Sequence, residues 1–314
     1  MRSAPANAEP QPAIDAPAIA GGQRSSPVVA TRVVVRPMTT AAEPGIATPG
    51  PMPRIALIVH RDEPLNHDTL PRWLSRSVAV VAIIVIDEAR STRLRRLRAE
   101  YRRVGFWRLL DVLAYRIWYR LFSAPADAAW VQQQVDLFRQ RFPIDVAAIP
   151  TLSTAEPRGE RVSDFLRTNR PDLVIARCKW LLRKDLYDIP RFGTYVLHPG
   201  ICPQYRNAHG CFWAIASDDM RNVGLTLLRI DDGIDTGPIY GFYRYPFDAQ
   251  RETHIRIQEK VVLENTEAIA AKLIDIAEQR AQPLVIGPAA SRNWGQPWLS
   301  SYLGIRRRLG SRPA

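Results

Sequence analysis

Two short apolar runs decide the fold, Ile55-Ala56-Leu57-Ile58-Val59 and residues 78–86, VAVVAIIVI. Each has the length of a β-strand, and the stretch between them, residues 67–76, has a helix-compatible pattern. Strands of a parallel sheet are unbroken Val/Ile runs because helices cover both faces of such a sheet. The opening therefore predicts an α/β fold, with an open, doubly wound, mostly parallel sheet and helices on both faces.

Later segments extend this pattern, and the composition sets the domain bounds. The expected further strands are residues 172–176, 194–197, 224–230 and 239–245, and the clearest later helical pattern is 252–279. Residues 1–53 hold many prolines and alanines and no aromatic residue, so we expect them to be disordered. We assign residues 54–288 to one catalytic-type domain and residues 289–314 to a basic, solvated tail.

The net charge of +12 favours polyanionic partners in general, whether nucleic acid, anionic lipid or a phosphorylated metabolite. All but four of the 43 basic residues are arginine, a bias that we attribute mostly to genomic base composition. No apolar run is long enough for a transmembrane helix. Three cysteines cannot form a disulfide scaffold, and a reducing cytoplasm fits them best.

A basic-aromatic helical insertion is expected at about residues 89–142. Its core, residues 93–122, combines many arginines with Phe and Trp and is interrupted near Gly105. Such helices can contact anionic membranes peripherally or bind polyanions. They can equally form an amphipathic hairpin whose aromatic rings pack on the domain while the arginines reach water.

Candidate chemistry concentrates in two loops that follow strands. His198 ends one predicted strand, and a Gly-rich loop with three carboxylates, residues 231–237, follows another. Ligands of open α/β sheets bind beyond the carboxyl ends of the strands. A histidine beside an aspartate can transfer protons. Dinucleotide, P-loop, serine-hydrolase and zincin motifs are absent from the sequence.

These loops belong to a longer ordered set of motifs. The set comprises Val196-Leu197-His198-Pro199-Gly200, Pro203-Gln204-Tyr205-Arg206-Asn207, Trp213-Ala214-Ile215 and Asp231-Asp232-Gly233-Ile234-Asp235-Thr236-Gly237. From about residue 172 to 283 the chain thereby resembles the folate-dependent formyltransferases, which include methionyl-tRNA, glycinamide ribonucleotide and sugar N-formyltransferases. The resemblance implies a Rossmann-like catalytic domain that uses 10-formyltetrahydrofolate as formyl donor, with no metal.

The resemblance also implies site residues. His198 matches the catalytic histidine, and Asp235 matches the aspartate that orients it or relays its proton. The residues that match the lining of the pterin pocket are Arg177, Trp180, Leu181, Leu182, Asp231, Gly233 and Ile234.

One position departs from the family pattern, because Val196 stands where the family has its catalytic asparagine. Valine has no donor for the developing oxyanion, and loss of one such donor typically slows catalysis about 10²- to 10³-fold. Three explanations stay open. Asn207, which replaces the usual glycine, acts as a substitute donor; protonated His198 or a backbone N–H acts alone; or the protein has lost formyl transfer and binds a ligand or an anionic surface.

The cysteines suggest another class of site. The spacing of His198, Cys202, His209 and Cys211 is compatible with zinc, and Cys202 beside a histidine is a possible nucleophile. Small buried thiols explain the same residues without chemistry, and no known zinc spacing is present. We therefore expect no metal.

The amine acceptor is the least constrained part of the prediction. Methionyl-tRNA formyltransferases carry a C-terminal barrel domain, for which too few residues follow Asp235. We therefore favour a small-molecule amine, such as a nucleotide-linked amino sugar whose phosphates arginines could hold, over tRNA.

Overall fold

The computed structural model describes residues 52–311 and contains a seven-stranded sheet. The expectation of disorder for residues 1–53 falls almost wholly outside the described part of the chain. In chain order the strands of this sheet are β1 (Arg54–His60), β2 (Ala79–Ile86), β3 (Thr151–Thr154), β4 (Leu173–Arg177), β5 (Thr194–Pro199), β7 (Leu225–Arg229) and β8 (Ile239–Tyr243). A separate two-stranded sheet pairs β6 (Arg206–Asn207) with β9 (Asn293–Trp294).

The spatial order of the large sheet is β3-β2-β1-β4-β5-β7-β8. The first five strands are parallel, and β7 and β8 add to the edge in antiparallel orientation. The mostly parallel, doubly wound α/β sheet predicted from the sequence is therefore confirmed. Of its strands only β3 was not predicted, because a single residue of it, Leu152, is buried and no apolar run marks it.

Nine α-helices lie among the described residues. They are α1 (Leu70–Leu74), α2 (Arg90–Phe122), α3 (Ala124–Arg141), α4 (Glu160–Asn169), α5 (Lys184–Tyr187), α6 (Gly210–Ala216), α7 (His254–Leu263), α8 (Thr266–Ala277) and α9 (Leu299–Gly310). One of them, α2, is interrupted at Gly105, whose φ of +77° lies outside the helical region. No described helix combines the length and the apolar composition that a membrane span needs.

The apolar runs are explained by burial on both faces of the sheet. On β1, Ile55, Leu57 and Val59 face a core shared with α1, α7 and α8, whereas Ala56 and Ile58 face a second core shared with α4. Full burial of one such aliphatic side chain stabilises the fold by roughly 1.5–3 kcal/mol. The apolar runs of the sequence are unbroken because successive residues of a strand are buried on opposite faces of the sheet.

A third core joins the long helix α2 to the C-terminal segment. Tyr115 of α2, Phe212 of α6 and Ile305 of α9 are buried together. The ring of Trp118 packs against that of Tyr302 with centroids 4.1 Å apart, and Asp111 accepts a hydrogen bond from the backbone N–H of Ser300 at 2.9 Å.

The C-terminal segment corrects the sequence prediction of a solvated tail at residues 289–314. Residues 299–310 form a helix in which Ile305 and Leu309, one turn apart, are buried. The arginines between them hid this pattern, yet Arg308 itself donates to the carbonyl of Ala216 at 2.7 Å. The segment is part of the folded body.

Candidate functional site

His198 and Asp235 lie in contact. His198 is in β5, is only 3% exposed, and its Nδ1 lies 3.3 Å from Oδ2 of Asp235. Asp235 belongs to the loop between β7 and β8. The pair predicted from the sequence is therefore brought together at one place in the fold.

Further contacts fix the orientation of both partners. Nε2 of His198 lies 2.7 Å from the carbonyl oxygen of Tyr205, and Oδ2 of Asp235 also accepts the backbone N–H of Asn207 at 2.8 Å. Both ring nitrogens of His198 thus face acceptor oxygens.

The carboxylate loop is ordered by its own side chains. Oδ1 of Asp231 accepts the backbone N–H of Gly233 at 2.9 Å and the hydroxyl of Thr236 at 2.8 Å. The hydroxyl of Tyr187 donates to Asp232 at 2.5 Å, which ties the loop to α5. These bonds hold Asp235 in the left-handed conformation, φ +51°, in which it reaches His198.

The loop after β5 is held just as closely. Gly200 and Gly210 pack against each other, since a Cβ added to Gly210 would lie 2.7 Å from the Cα of Gly200. Thr226 of β7 donates its hydroxyl hydrogen to the carbonyl of Gly200 at 2.6 Å and accepts the N–H of Cys202 at 3.0 Å. This packing brings the start of α6 next to the end of β5.

Asn207 is near Asp235, but through its backbone. Its side-chain nitrogen donates to the carbonyl of Trp294 at 2.6 Å, and its φ of +76° is left-handed. The side-chain amide thus bonds to the β9 segment, while the backbone N–H donates to Asp235.

Val196 lies two residues before His198 and therefore on the same face of β5. It packs against a small apolar cluster that contains Cys202, Leu228 and Ile239. The position that holds asparagine in the family thus faces the same side as the imidazole, but here it supplies only apolar surface.

The residues predicted to line the cofactor pocket divide into two groups. Leu181 and Ile234 expose 65% and 40% of their surfaces, and Nε1 of Trp180 is buried without a hydrogen-bond partner among the described residues. Trp180 and Leu181 are consecutive in the loop after β4, whereas Ile234 belongs to the loop between β7 and β8. Leu182, in contrast, is buried in the second core, and Asp231 and Gly233 bond within their loop.

The side chain of Arg177 is held by other parts of the protein, while its contribution to the pterin pocket stays a prediction. Its guanidinium is buried and donates to Asn66 at 3.0 Å, to the carbonyl of Leu197 at 2.8 Å and to Glu259 at 2.9 Å. The last contact is a buried ion pair. Arg177 therefore links β5, at the residue before His198, to Glu259 of α7.

A polar cluster at the ends of β1, β2 and β4 was missed. The backbone N–H of Lys179 donates to Nε2 of His60 at 2.9 Å, Lys179 pairs with Glu63 at 2.6 Å, and Arg96 of α2 pairs with Glu88 at 2.6 Å. Burial lowers the pKa of His60. The signal that identified His198, a polar residue ending a buried strand, also applies to His60.

A pocket of about 290 Å³ lies between α2, α6, α7 and the segment before α9. We call it the histidine pocket, because His209 and His254 line it together with Tyr115, Arg116, Tyr119 and Gln296. A second cavity is lined by Arg72 and Phe142, far along the chain from the catalytic loops. Neither of these two cavities is lined by the predicted pterin-binding residues.

The cysteines are not arranged for metal or nucleophilic chemistry. No group of three or more His, Cys, Asp or Glu side chains within residues 52–311 could hold a metal ion. Burial raises the pKa of the Cys211 thiol to about 12 and also raises the pKa of Cys202. Both thiols are therefore protonated near neutral pH, and thiols are poor nucleophiles.

Comparison with known proteins finds a family model and relatives that match the part of the chain that carries the site. Residues 122–273 match the family model described as formyl transferase. A methionyl-tRNA formyltransferase from Thermus thermophilus is 35% identical over 103 residues, which is 32% of this chain and 33% of that protein. One from Myxococcus xanthus is 27% identical over 170 residues, 51% of this chain and 54% of that protein. The chain thus spans between a third and about half of these relatives.

Solved structures include similar chains. A phosphoribosylglycinamide formyltransferase from Anaplasma phagocytophilum aligns with a TM-score of 0.48 and 16% identity, covering 76% of this chain and 97% of that one. The family match contains both His198 and Asp235, whereas nearly all of α2 and the whole of α9 lie outside it.

Proposed function

We propose that this chain, a member of the formyl transferase family, transfers a formyl group from 10-formyltetrahydrofolate to a primary amine. The observation that carries the proposal is the 3.3 Å contact between His198 and Asp235, which lies within the family-matched range. The cofactor supplies the formyl group.

The reaction requires proton transfer. It forms a bond between the amine nitrogen and the formyl carbon and breaks the bond from that carbon to the folate nitrogen. One proton leaves the amine, and one is delivered to the leaving nitrogen. His198 is the group that handles these protons, once its Nε2 exchanges the Tyr205 carbonyl for the reacting atoms. Asp235 stabilises the imidazolium that results.

The developing oxyanion needs a donor that Val196 cannot supply. Nε2 of His198 faces the carbonyl oxygen of Tyr205, so an Nε2–H pointing there can donate a hydrogen bond to an oxygen in that position. Asn207 supports this role indirectly, because its backbone N–H holds Asp235. Of the three explanations, the contacts favour His198 acting alone.

The cofactor is assigned to the edge formed by Trp180, Leu181 and Ile234. The unpartnered Trp180 Nε1–H offers a donor to a pteridine edge, and the two exposed aliphatic side chains offer surface to its faces. Arg96 and Arg158 lie 5.6 and 5.7 Å from the Trp180 ring. Arg96 is paired with Glu88 and Arg158 with Glu156, so a folate carboxylate would have to exchange with one of these ion pairs.

For the acceptor we favour a small-molecule amine. The histidine pocket has the volume of a small ligand's ring, not of a nucleic-acid surface. The names of the curated relatives make tRNA the alternative.

The test is incubation of the full chain with 10-formyltetrahydrofolate and a panel of amines that includes amino sugars, nucleotide-linked amino sugars and methionyl-tRNA. Release of tetrahydrofolate that depends on one amine, and is lost in His198→Gln, is the expected result. If tetrahydrofolate forms with no member of the panel, or forms equally in His198→Gln, the proposal is wrong.

A second candidate function is binding to an anionic membrane surface through α2, and a specific observation favours it. Phe106, Leu110, Ile117 and Leu121 are exposed and, at spacings of four and seven residues, share one side of the helix. Val112 and Tyr115 on the other side are buried. The helix is thus apolar on both sides: Tyr115 packs on the domain, as the hairpin alternative expected, and a second apolar stripe faces solvent.

The charges around this exposed stripe suit anionic lipid. Arg102, Arg116 and Arg120 make no ion pair or hydrogen bond with any described residue, and Trp107 beside them is 79% exposed. Between residues 101 and 122 the only acidic side chain is Asp111. A second copy of the chain would place arginine against arginine, whereas anionic headgroups neutralise them.

Vesicle sedimentation distinguishes these possibilities. We expect binding to vesicles of phosphatidylcholine and phosphatidylglycerol that salt weakens, and loss of it in Phe106→Ser/Ile117→Ser. Val285→Ser, at a 99% exposed residue outside α2, is the matched control and should bind normally. Equal binding by all variants contradicts the candidate, as does a concentration-dependent dimer that the double variant abolishes.

A further inference from the structure

The histidine pocket is walled by parts of the chain that are distant in sequence. Tyr115, Arg116 and Tyr119 come from α2, His209 precedes α6, and His254 opens α7. Most of α2 lies outside the family-matched residues. The pocket is therefore a feature of this chain that the catalytic loops alone do not explain.

The walls are fixed in place by one buried carboxylate. Asp127 of α3 accepts hydrogen bonds from Tyr119 at 2.8 Å and from Thr253 at 2.6 Å, and pairs with Arg256 at 3.0 Å. It thereby links α2 to the start of α7. Such bonds make the pocket preformed, as small-molecule sites usually are.

Polar atoms of the pocket are left without partners. His254 is only 7% exposed; its Nδ1 lies 3.2 Å from the hydroxyl of Tyr115, while its Nε2 has no hydrogen-bond partner among the described residues. Nδ1 of His209 is likewise buried and unpartnered. Buried polar atoms are almost always paired, so two orphaned nitrogens in one cavity point to a bound polar molecule.

Both imidazoles are neutral near physiological pH. Burial lowers the pKa of His209 to about 4, assisted by the positive charges of Lys179 and Arg116, and burial also lowers the pKa of His254. A neutral imidazole offers one donor and one acceptor. That pattern complements hydroxyl groups, which both donate and accept.

The remaining walls favour a hydroxylated ring. The His209 and His254 rings lie 5.4 Å apart, and the ring of Tyr115 lies 6.1 Å from that of His254. Aromatic faces accommodate the C–H face of a sugar, and Gln296, which hydrogen-bonds to the His209 side chain, lines the same pocket. Arg116 is exposed at the rim, where its guanidinium can bind a phosphate.

The pocket adjoins the catalytic loop. His209 directly precedes Gly210, which packs on Gly200, and a Cβ at Gly200 would lie 3.1 Å from Nε2 of His198. The pocket residue His209 and the imidazole of His198 are thus separated by the packed pair Gly200 and Gly210.

We infer that the histidine pocket binds the sugar ring of the amine acceptor, with a phosphate of its nucleotide held by Arg116. The inference rests on the proposed formyl transfer, since it assigns the acceptor of that reaction. The acceptor class is a nucleotide-linked amino sugar.

Calorimetric titration with UDP-glucosamine, without folate, tests the pocket directly. We expect binding by the wild type, weakened about tenfold or more in Ile255→Trp, which fills the pocket, and in His254→Phe, which removes its nitrogens. Leu303→Trp on the exposed side of α9 is the control for added bulk and should leave the affinity unchanged.

Arg116→Ala keeps the test valid if the pocket variants fold poorly, because this side chain is exposed. It should weaken UDP-glucosamine binding several-fold but not glucosamine binding, and Arg120→Ala, one turn along α2, should change neither. Wild-type protein that binds neither UDP-glucosamine nor glucosamine overturns the inference. So does unchanged affinity in Ile255→Trp and Arg116→Ala.

Parallel titration with 5-formyltetrahydrofolate separates the two proposals. If that folate binds and the amine panel is formylated while the pocket variants bind UDP-glucosamine like the wild type, only the pocket assignment is wrong. If the pocket variants lose UDP-glucosamine but the wild type binds no folate, formyl transfer is wrong.

Discussion

Oδ2 of Asp235 lies 3.3 Å from Nδ1 of His198 although the loop that carries Asp235 starts at the far end of β5. Because β7 is antiparallel to β5, its last residue, Arg229, pairs with Tyr195 near the start of β5. The loop therefore runs back along β5 to reach the histidine. Its internal bonds from Asp231 make this return path specific.

Asn207→Gly separates the positioning role from a donor role. Glycine keeps the backbone N–H that holds Asp235 and accepts a φ of +76° without strain. We expect the rate of tetrahydrofolate release to stay within a few-fold of wild type. A loss of about 10²-fold or more would instead identify the Asn207 amide as the oxyanion donor.

Val196→Asn restores the amide that the family carries. The side chain would face the same side of β5 as His198, so we expect the turnover rate to rise about tenfold or more. Burial of an incompletely paired amide should lower the free energy of unfolding by about 1–3 kcal/mol. Turnover and urea denaturation measure the two effects, with Val196→Ala as control. A rate no higher than that of Val196→Ala would show that no donor is missing.

The buried histidines predict loss of stability in acid. An unfolded histidine has a pKa of 6.5, whereas that of folded His209 is lowered to about 4 and that of His254 is also lowered. Below about pH 6.5 the unfolded chain binds protons that the folded chain does not, so stability falls as the pH drops towards about 4.

Urea midpoints at about pH 7.5 and about pH 5 measure this loss. His254→Phe removes one of the groups, so its midpoint should fall less than that of the wild type between the two pH values. Identical losses in the two proteins would mean that His254 is not held neutral in the folded state.

Ile305→Ala tests whether α9 belongs to the core. Because Ile305 is buried against α2 and α6, we expect its truncation to lower the free energy of unfolding by about 2–4 kcal/mol. Leu303→Ala, on the exposed side of the same helix, is the matched control and should cost little. Similar thermal denaturation midpoints for the two variants would instead support the sequence prediction that residues 289–314 form a solvated tail.

The α/β fold class could be predicted from the sequence because strands that are buried on both faces of a sheet are continuous apolar runs. Residues 55–59 and 78–86 are apolar throughout for that reason, and they form the paired parallel strands β1 and β2. Strand β3 and helix α9 have weaker sequence patterns. Only Leu152 of β3 is buried, and only Ile305 and Leu309 of α9 are buried.

The order of the motifs predicted that His198 and Asp235 belong to one site, and the structure brings them together through a loop that runs back along β5. The buried role of Arg177 and the pocket between His209 and His254 depend on packing between distant segments. In the sequence His254 is a polar residue at the start of a helix, and only the folded structure shows its contact with Tyr115. Such contacts have no local signal in the sequence.

The most direct test of the account is a double-mutant cycle on the rate of tetrahydrofolate release, with the amine that the panel identifies. His198→Gln and Asp235→Asn should each lower the rate about 10²-fold or more, and the double variant should be no slower than the slower single variant, because the two side chains act as one unit. Asp164→Asn, at an exposed carboxylate of α4, is the control and should stay near the wild-type rate. An Asp235→Asn enzyme as fast as the wild type, or losses that multiply in the double variant, would contradict the account.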